Sequence, residues 1–207
     1  MGILFDPHLN WSSQVDCLAV KLSRASGMRA KVRHYVSTDS LRSIYYAIFS
    51  SLLHYGSLIF GQSRTKHTLR LERIQNKALR IINFADYNDP VTHLYHKSKI
   101  LKFFDQVNLE NSLLVYNYHK NNLPKTLRKS FHTVAETGAP TRGAAQHKMS
   151  LPPARTQNYG INSITYRSSA TWNSSVSTHP DINLVSKSKP LLKEILTKNY
   201  LDSYLLL

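Results

Sequence analysis

The sequence is poor in the residues from which cross-links and many active sites are built. Its 207 residues include one cysteine, Cys17, and only 12 acidic residues against 27 lysines and arginines. A single cysteine excludes an internal disulfide and every zinc site made from several cysteines. We expect Cys17 to be a buried, small apolar residue. The N-terminus has no basic stretch followed by an apolar core, so we predict no signal peptide and expect an intracellular location.

The scarcity of acidic residues also argues against catalysis. Metal-assisted phosphoryl transfer needs converging carboxylates, and the only close pair, Asp86 and Asp89, lies in a turn beside Pro90, where aspartate shapes the backbone. His93 and His96 are three residues apart but no further ligand joins them. The phosphate-binding glycine motifs and the GxSxG nucleophile motif are absent. We therefore predict no catalytic residue, no metal site, no cofactor and no small-molecule substrate.

Long hydrophobic runs are also missing, and only one stretch has to be considered as a membrane-spanning helix. Residues 43–63 carry no charge and are numerous enough to span a bilayer. They include His54, Gln62, several serines and two glycines, which is a low apolar density for a spanning helix. We predict instead a buried central helix that begins after the capping run Ser37–Ser40 and ends near Tyr55–Gly56. Membrane association through residues 43–63 stays open as the alternative.

Positive charge is abundant. The formal net charge is +15, and 42% of the residues are hydrophobic, so the chain is expected to fold. A basic excess of this size favours a polyanionic partner, with nucleic acid ahead of an acidic membrane surface. A merely basic surface would give the same total.

The clearest feature is the stretch Lys66–Phe84, whose charged and apolar residues both recur at helical spacing. Its basic residues, here called the basic stripe, are Lys66, Arg70, Arg73, Lys77 and Arg80. On a helix they would form a band about 80° wide. The adjacent sector holds Leu71, Ile74, Ala78, Ile81 and Ile82. Such a band could follow a phosphate backbone, although solvated helix faces have the same pattern.

Helical spacing also recurs elsewhere, which predicts a mainly α fold, a helical bundle. Further helices are expected over Val15–Val32, where Gly27 favours a bend or a break, over Val91–His96, after Asp105, and from Pro190. Ser12 or Ser13 is the expected cap of the first.

The remaining segments divide the chain into three predicted regions. Residues 1–123 form the helical region, and the short apolar run Gly2–Phe5 at its start is compatible with a β strand. Residues 124–160 are rich in glycine, proline and basic residues, which indicates a poorly ordered basic arm. Residues 161–207 are expected to form a small C-terminal segment with a short β strand at Ile164 and Tyr166, and a terminal helix.

Several segments resemble, in this order and at these separations, the non-LTR retrotransposon (LINE, jockey-like) reverse transcriptases. Leu71–Arg80, LERIQNKALR, resembles the L-x-x-x-Q-N-K-A-L-R block and is the most specific match. Residues 2–11 resemble the stretch just beyond the catalytic palm, with Asp6 and Trp11 in place. Residues 41–61 resemble a further block, with Phe60 where tryptophan is usual.

The resemblance continues to near the end of the chain. The further matching segments are Leu94–Tyr95, Ile100–Phe103, Leu123–Pro124, Thr141–Arg142, Ser163–Tyr166 and Trp172–Asn173. The family often has Gly-Pro before Trp-Asn, whereas residues 168–171 here are Ser-Ser-Ala-Thr.

The resemblance implies what the chain does and what it lacks. The family's endonuclease, fingers and palm, with the catalytic carboxylates, would lie before residue 1. The rest would be a thumb, a helical bundle that holds the template–primer duplex, and the segment after it. We therefore expect a mobile-element RNA-directed DNA polymerase fragment that is inactive alone and binds RNA–DNA or DNA duplex non-specifically, beside the rest of a parent polymerase. The alternative is a non-enzymatic, repurposed or inert scaffold.

Overall fold

The computed structural model describes residues 2–62, 65–137 and 147–205, and these are mainly helical, which confirms the predicted fold class. The α-helices are α1 (Ser12–Val32), α2 (Thr38–Ile44), α3 (Ser51–His54), α4 (Ser57–Phe60), α5 (Lys66–Asn83), α6 (Thr92–Ser98), α7 (Phe103–His119), α8 (Lys125–Arg128), α9 (Ile164–Thr178) and α10 (Lys189–Ser203). Short 3-10 or π-helical turns occur at Tyr45–Ser50, Ala135–Thr137, Gln157–Ile161 and Leu184–Ser186.

The chain divides into two compact units. The first contains Met1–Gln106 and Asn199–Leu207, and the second contains Val107–Lys198. The predicted division into 1–123, 124–160 and 161–207 stays a prediction. The arm predicted over 124–160 lies partly outside the described residues, at 138–146 with Thr141–Arg142, and its described part includes α8.

A helical hairpin forms much of the first unit. Helix α1 is continuous from Ser12 to Val32, so it does not break at Gly27, and a bend there stays a prediction. The return helix is one run from Thr38 to His54, with a π-helical turn between α2 and α3. It starts as predicted, because the Ser37 hydroxyl accepts a hydrogen bond from the Ser40 N–H at 3.2 Å. It also ends as predicted, since Gly56 takes the left-handed conformation, with φ 72°.

The return helix buries one face rather than its whole circumference. The buried residues recur at every fourth position: Leu41, Tyr45, Phe49 and Leu53. Each such side chain contributes roughly 1.5–3 kcal/mol on burial. Tyr46 and Ile48 on the other side are exposed, so the predicted central helix is a surface helix. No helix within 2–62, 65–137 and 147–205 is long and apolar enough to cross a membrane.

The segment before α1 is a loop organised by Asp6. Its carboxylate accepts hydrogen bonds from the backbone N–H groups of His8, Asn10 and Trp11, at 3.0, 3.0 and 2.7 Å. These bonds lower the pKa of Asp6, that from Asn10 most. The strand predicted at Gly2–Phe5 is wrong, and the Leu4 N–H donates to the Gln14 side chain at 3.0 Å. The predicted serine cap of α1 is also wrong, because Trp11, which Asp6 holds, is the N-cap and the helix begins at Ser12.

In the second unit, Ile164 and Tyr166 lie in helix α9, so the short β strand predicted there is wrong. The buried face of α9 recurs at helical spacing but is largely polar: Ser168, Ser169, Trp172, Ser175 and Val176. Because three of these five are serines, the segment shows no apolar periodicity that would predict a helix. The β structure in the described part of the chain is an isolated antiparallel bridge between Thr133 and Met149.

Small polar side chains hold α9 against its neighbours in the second unit. Ser168 donates to the Asn111 side-chain oxygen at 2.9 Å, and Ser112 and Ser175 lie 3.4 Å apart. Asn173 donates to the Met149 carbonyl and accepts from its N–H, at 2.9 and 2.7 Å. Buried hydroxyls thus take the place that aliphatic side chains usually fill.

Candidate nucleic-acid interface

Helix α5 is held on both flanks within the first unit. On one side Arg70 pairs with Asp16, near the start of α1, and Phe84 contacts Arg33, just after its end. The two helices therefore run parallel. On the other side Tyr95 of α6 donates to the Asn76 side chain at 2.7 Å, and Ser98 bonds Asn83. The face of α5 that remains outward carries the basic stripe.

Both ends of α5 are defined by local chemistry. Thr65 and Thr68 form a reciprocal capping box, with the Thr68 N–H donating to the Thr65 hydroxyl and the Thr65 N–H donating to the Thr68 hydroxyl. At the other end Phe84 adopts the left-handed conformation, with φ 54°, and the Ala85 N–H donates to the Arg80 carbonyl. The helix therefore spans the stripe from Lys66 to Arg80 without a break, about 21 Å along its axis.

Gln75 shows what the uncharged part of this segment does. It is fully buried, and its amide donates at 2.9 Å to both the Tyr45 hydroxyl and the Leu101 carbonyl. Its side-chain oxygen accepts the Phe103 N–H at 2.8 Å. Burial raises the pKa of Tyr45 well above its ordinary value, so this hydroxyl stays protonated. Gln75 therefore ties α5 to the return helix and to the start of α7.

The five stripe residues are not equivalent. Lys66, Arg73 and Lys77 are exposed. Arg70 is half-exposed and its guanidinium lies 2.6 Å from the Asp16 carboxylate. Arg80 is partly buried, donates to the Asp89 carbonyl at 3.1 Å and lies over the Tyr87 ring. Three cations thus face solvent, while two also make contacts within the protein.

Two basic residues of α1, Arg29 and Lys21, lie away from the stripe. Arg29 is 2% exposed and lies over the rings of Phe49 and Tyr45, 4.7 and 5.3 Å from their centroids. Burial lowers the pKa of its guanidinium to about 10. Lys21 lies on the opposite flank of α1, in a small groove with Tyr55.

Two further findings concern the remaining candidates. Cys17 is exposed, which corrects the expectation that it is buried, because it lines a shallow groove with Lys21 and Tyr55. Within the described ranges, no three His, Cys, Asp or Glu side chains are grouped so as to hold a metal ion. Sequence patterns did not predict that Phe84 and Tyr87 lie against Arg33 and Arg80 at one end of the stripe.

Comparison with known proteins identifies a related polymerase. The chain is similar to a protein described as a probable RNA-directed DNA polymerase from transposon X-element of Drosophila melanogaster. The two are 29% identical over 141 residues, which cover 63% of this chain and 15% of that relative. No protein-family model matches the sequence, and no solved structure matches it. The similarity relates the chain to the reverse transcriptases of mobile elements.

Proposed function

We propose that the chain corresponds to the C-terminal, thumb and post-thumb part of a non-LTR (LINE, jockey-like) reverse transcriptase. In this role it holds a template–primer duplex through the basic stripe and reads no sequence, since phosphate contacts position a duplex without specifying it. The similarity to the transposon polymerase and the mainly helical fold support this assignment.

The contrast between buried and exposed residues within Leu71–Arg80 supports the proposal most directly. Gln75 is buried and makes three hydrogen bonds that fix α5, whereas Lys77 and Arg73 on the same helix point to solvent. The packing of α5 does not require these exposed charges. A row of cations on a rigidly held helix suits a polyanion, because counterions are released from each phosphate that it neutralises.

Binding to a short RNA–DNA hybrid at increasing salt tests the proposal. The triple variant Lys66→Glu, Arg73→Glu and Lys77→Glu should bind the hybrid much more weakly than the parent at low salt. A matched variant, Lys189→Glu, Lys193→Glu and Lys198→Glu, makes the same charge change at three exposed residues of α10 and should bind nearly as the parent does. Equal loss in both variants would show that net charge alone carries the binding.

Catalysis belongs, in this proposal, to the rest of a parent polymerase. The purified chain should therefore extend no primer on an RNA template with Mg²⁺, even where it binds the hybrid. Extension by the chain alone would contradict this assignment. A chain that binds no hybrid at low salt would instead be the repurposed or inert scaffold.

A further inference from the structure

Aromatic and basic side chains meet at one end of the basic stripe. Arg33 lies over the Phe84 ring, 5.3 Å from its centroid, and His34 meets the same ring edge-on at 6.1 Å. Arg80 lies over the Tyr87 ring at 5.6 Å. We call Arg33, His34, Arg80, Phe84 and Tyr87 the aromatic–basic cluster.

The rings of this cluster are open to solvent. Phe84 is 47% exposed and Tyr87 is 86% exposed. Exposed aromatic rings beside guanidinium groups can stack on nucleic-acid bases, and such stacking accepts every base because each has a π-face. In a duplex the bases already stack on one another, so rings of this kind are suited to unpaired bases.

Phe84 also occupies a position that does not suit its side chain. It is the left-handed residue that ends α5, with φ 54°, where glycine is the favoured residue because it has no Cβ. A half-exposed phenylalanine there costs backbone strain and leaves apolar surface in water. The ring contacts Arg33 and His34, yet Phe84 remains 47% exposed, so part of its apolar surface is available to a ligand.

The charges around the cluster show which force would dominate. Asp86 and Asp89 lie in the same turn as Tyr87, and the Asp89 carboxylate accepts the Asp86 N–H at 2.7 Å. These two acids add negative charge to the turn that carries Tyr87. Stacking, rather than attraction to phosphate, would therefore carry binding here, in contrast to the exposed lysines and arginine of the stripe.

We infer that the aromatic–basic cluster binds the unpaired nucleotides that extend from the end of a duplex held on the basic stripe. This inference rests on the proposed function, because the stripe would bring the duplex end to the cluster. Phe84 and Tyr87 provide the stacking surfaces, and Arg33 and Arg80 hold those rings in place from one side. The unpaired strand is recognised by its exposed base faces and not by its sequence.

The test compares a blunt RNA–DNA hybrid with the same hybrid carrying a short single-stranded extension, whose first unpaired base is 2-aminopurine. The parent chain should bind the extended hybrid about fivefold or more tightly than the blunt one, as expected for one stacked base. Stacking should also quench the 2-aminopurine fluorescence. The ratio of the two affinities should persist as salt is raised, while both affinities fall.

Variants locate the effect. Phe84→Gly with Tyr87→Ala should bring the affinity ratio to about one and abolish quenching, and Phe84→Gly removes the ring without opposing the left-handed backbone. The control is Tyr55→Ala, which removes an exposed aromatic ring far from the cluster. Tyr55 shares a groove with Cys17, and Cys17 lies about 24 Å along α1 from Arg33. This variant should keep the ratio. Thermal melting of each variant verifies that it is folded.

The outcomes separate this inference from the proposed function. The triple stripe variant should weaken binding of both hybrids and leave their ratio unchanged. Equal binding of blunt and extended hybrids by the parent chain, or a ratio that survives Phe84→Gly with Tyr87→Ala, would overturn the inference and leave duplex holding intact. Failure to bind either hybrid would overturn both.

Discussion

Arg70 of the basic stripe and Asp16 of α1 form an ion pair at 2.6 Å, and both side chains are more than half exposed. An exposed pair of this kind contributes about 0–1 kcal/mol to stability. Its larger effect is on the surface potential, because it places a carboxylate beside the stripe and occupies one of its guanidinium groups.

Asp16→Asn should therefore strengthen hybrid binding while leaving stability almost unchanged. If Arg70 gains one phosphate contact, the slope of log affinity against log salt should become steeper by about 0.9. A salt titration measures this slope. Asp202→Asn, which removes another exposed acid, is the charge-matched control and should leave the slope as it is. An unchanged slope for Asp16→Asn would place the duplex away from Arg70.

Gln75→Leu should destabilise the protein by about 3 kcal/mol. Leucine has a similar size but leaves the Leu101 carbonyl and the Phe103 N–H without their buried partner, and each such group costs about 1–3 kcal/mol. Urea denaturation measures the loss. Asn76→Ala removes one partly buried hydrogen bond and should cost only about 1 kcal/mol. Comparable losses from the two variants would contradict the structural role assigned to Gln75.

Two glycines should respond to alanine in opposite ways. At Gly56, where φ is 72°, a Cβ would collide with the Ile3 side chain, so Gly56→Ala should destabilise by more than the roughly 1–2 kcal/mol of the left-handed conformation alone. At Gly27, inside α1, a Cβ meets no other atom within 4 Å, and Gly27→Ala should stabilise by about 1 kcal/mol. Thermal melting of both variants measures these changes.

Ile3→Ala provides the check on Gly56. It should recover the collision part of the Gly56→Ala loss and leave the conformational part. If Gly56→Ala costs as much in the Ile3→Ala background as in the parent, the loss comes from the backbone alone.

His54 should make the free energy of unfolding decrease as the pH falls. Burial lowers the pKa of His54 to about 4, while in the unfolded chain it is near 6.5. The folded pKa is depressed, so this contribution is present above pH 6.5 and is lost as pH falls towards 4, by about 1.4 kcal/mol for each unit of pKa difference.

Urea denaturation across this range measures the effect, and His54→Leu should flatten the profile between pH 6.5 and 4. His119, whose pKa is also lowered to about 4 by burial, keeps part of the slope in that variant. His93→Leu, a change at an exposed histidine, is the control and should leave the profile as in the parent. A profile unaffected by His54→Leu would contradict the assignment.

Sequence patterns predicted those elements whose signals are local. The basic stripe on α5, the cap at Ser37 and the break at Gly56 depend on residues within a few positions of one another. The outward direction of Lys66, Arg73 and Lys77 follows from the same spacing. Whether the stripe binds nucleic acid stays a prediction, because spacing alone fits a solvated face equally well.

Features that depend on distant partners could not be predicted in the same way. Gln75 bonds Tyr45 and Leu101, which are 30 and 26 residues away. Arg29 is buried because the rings of Tyr45 and Phe49 cover it, and a charged residue at that spacing gives no sign of this. The serine-rich face of α9 was not predicted, because its packing depends on hydrogen bonds of hydroxyl groups, and these leave no pattern of apolar residues in the sequence.

The division into two compact units has a practical consequence for spectroscopy. The chain has two tryptophans, and one lies in each unit, Trp11 in the first and Trp172 in the second. Trp172 is fully buried, while Trp11 is partly exposed and touches Phe5 edge-on. Single-tryptophan variants would therefore give each unit its own fluorophore, so that unfolding of each unit and hybrid binding by the first can be recorded separately in the intact chain.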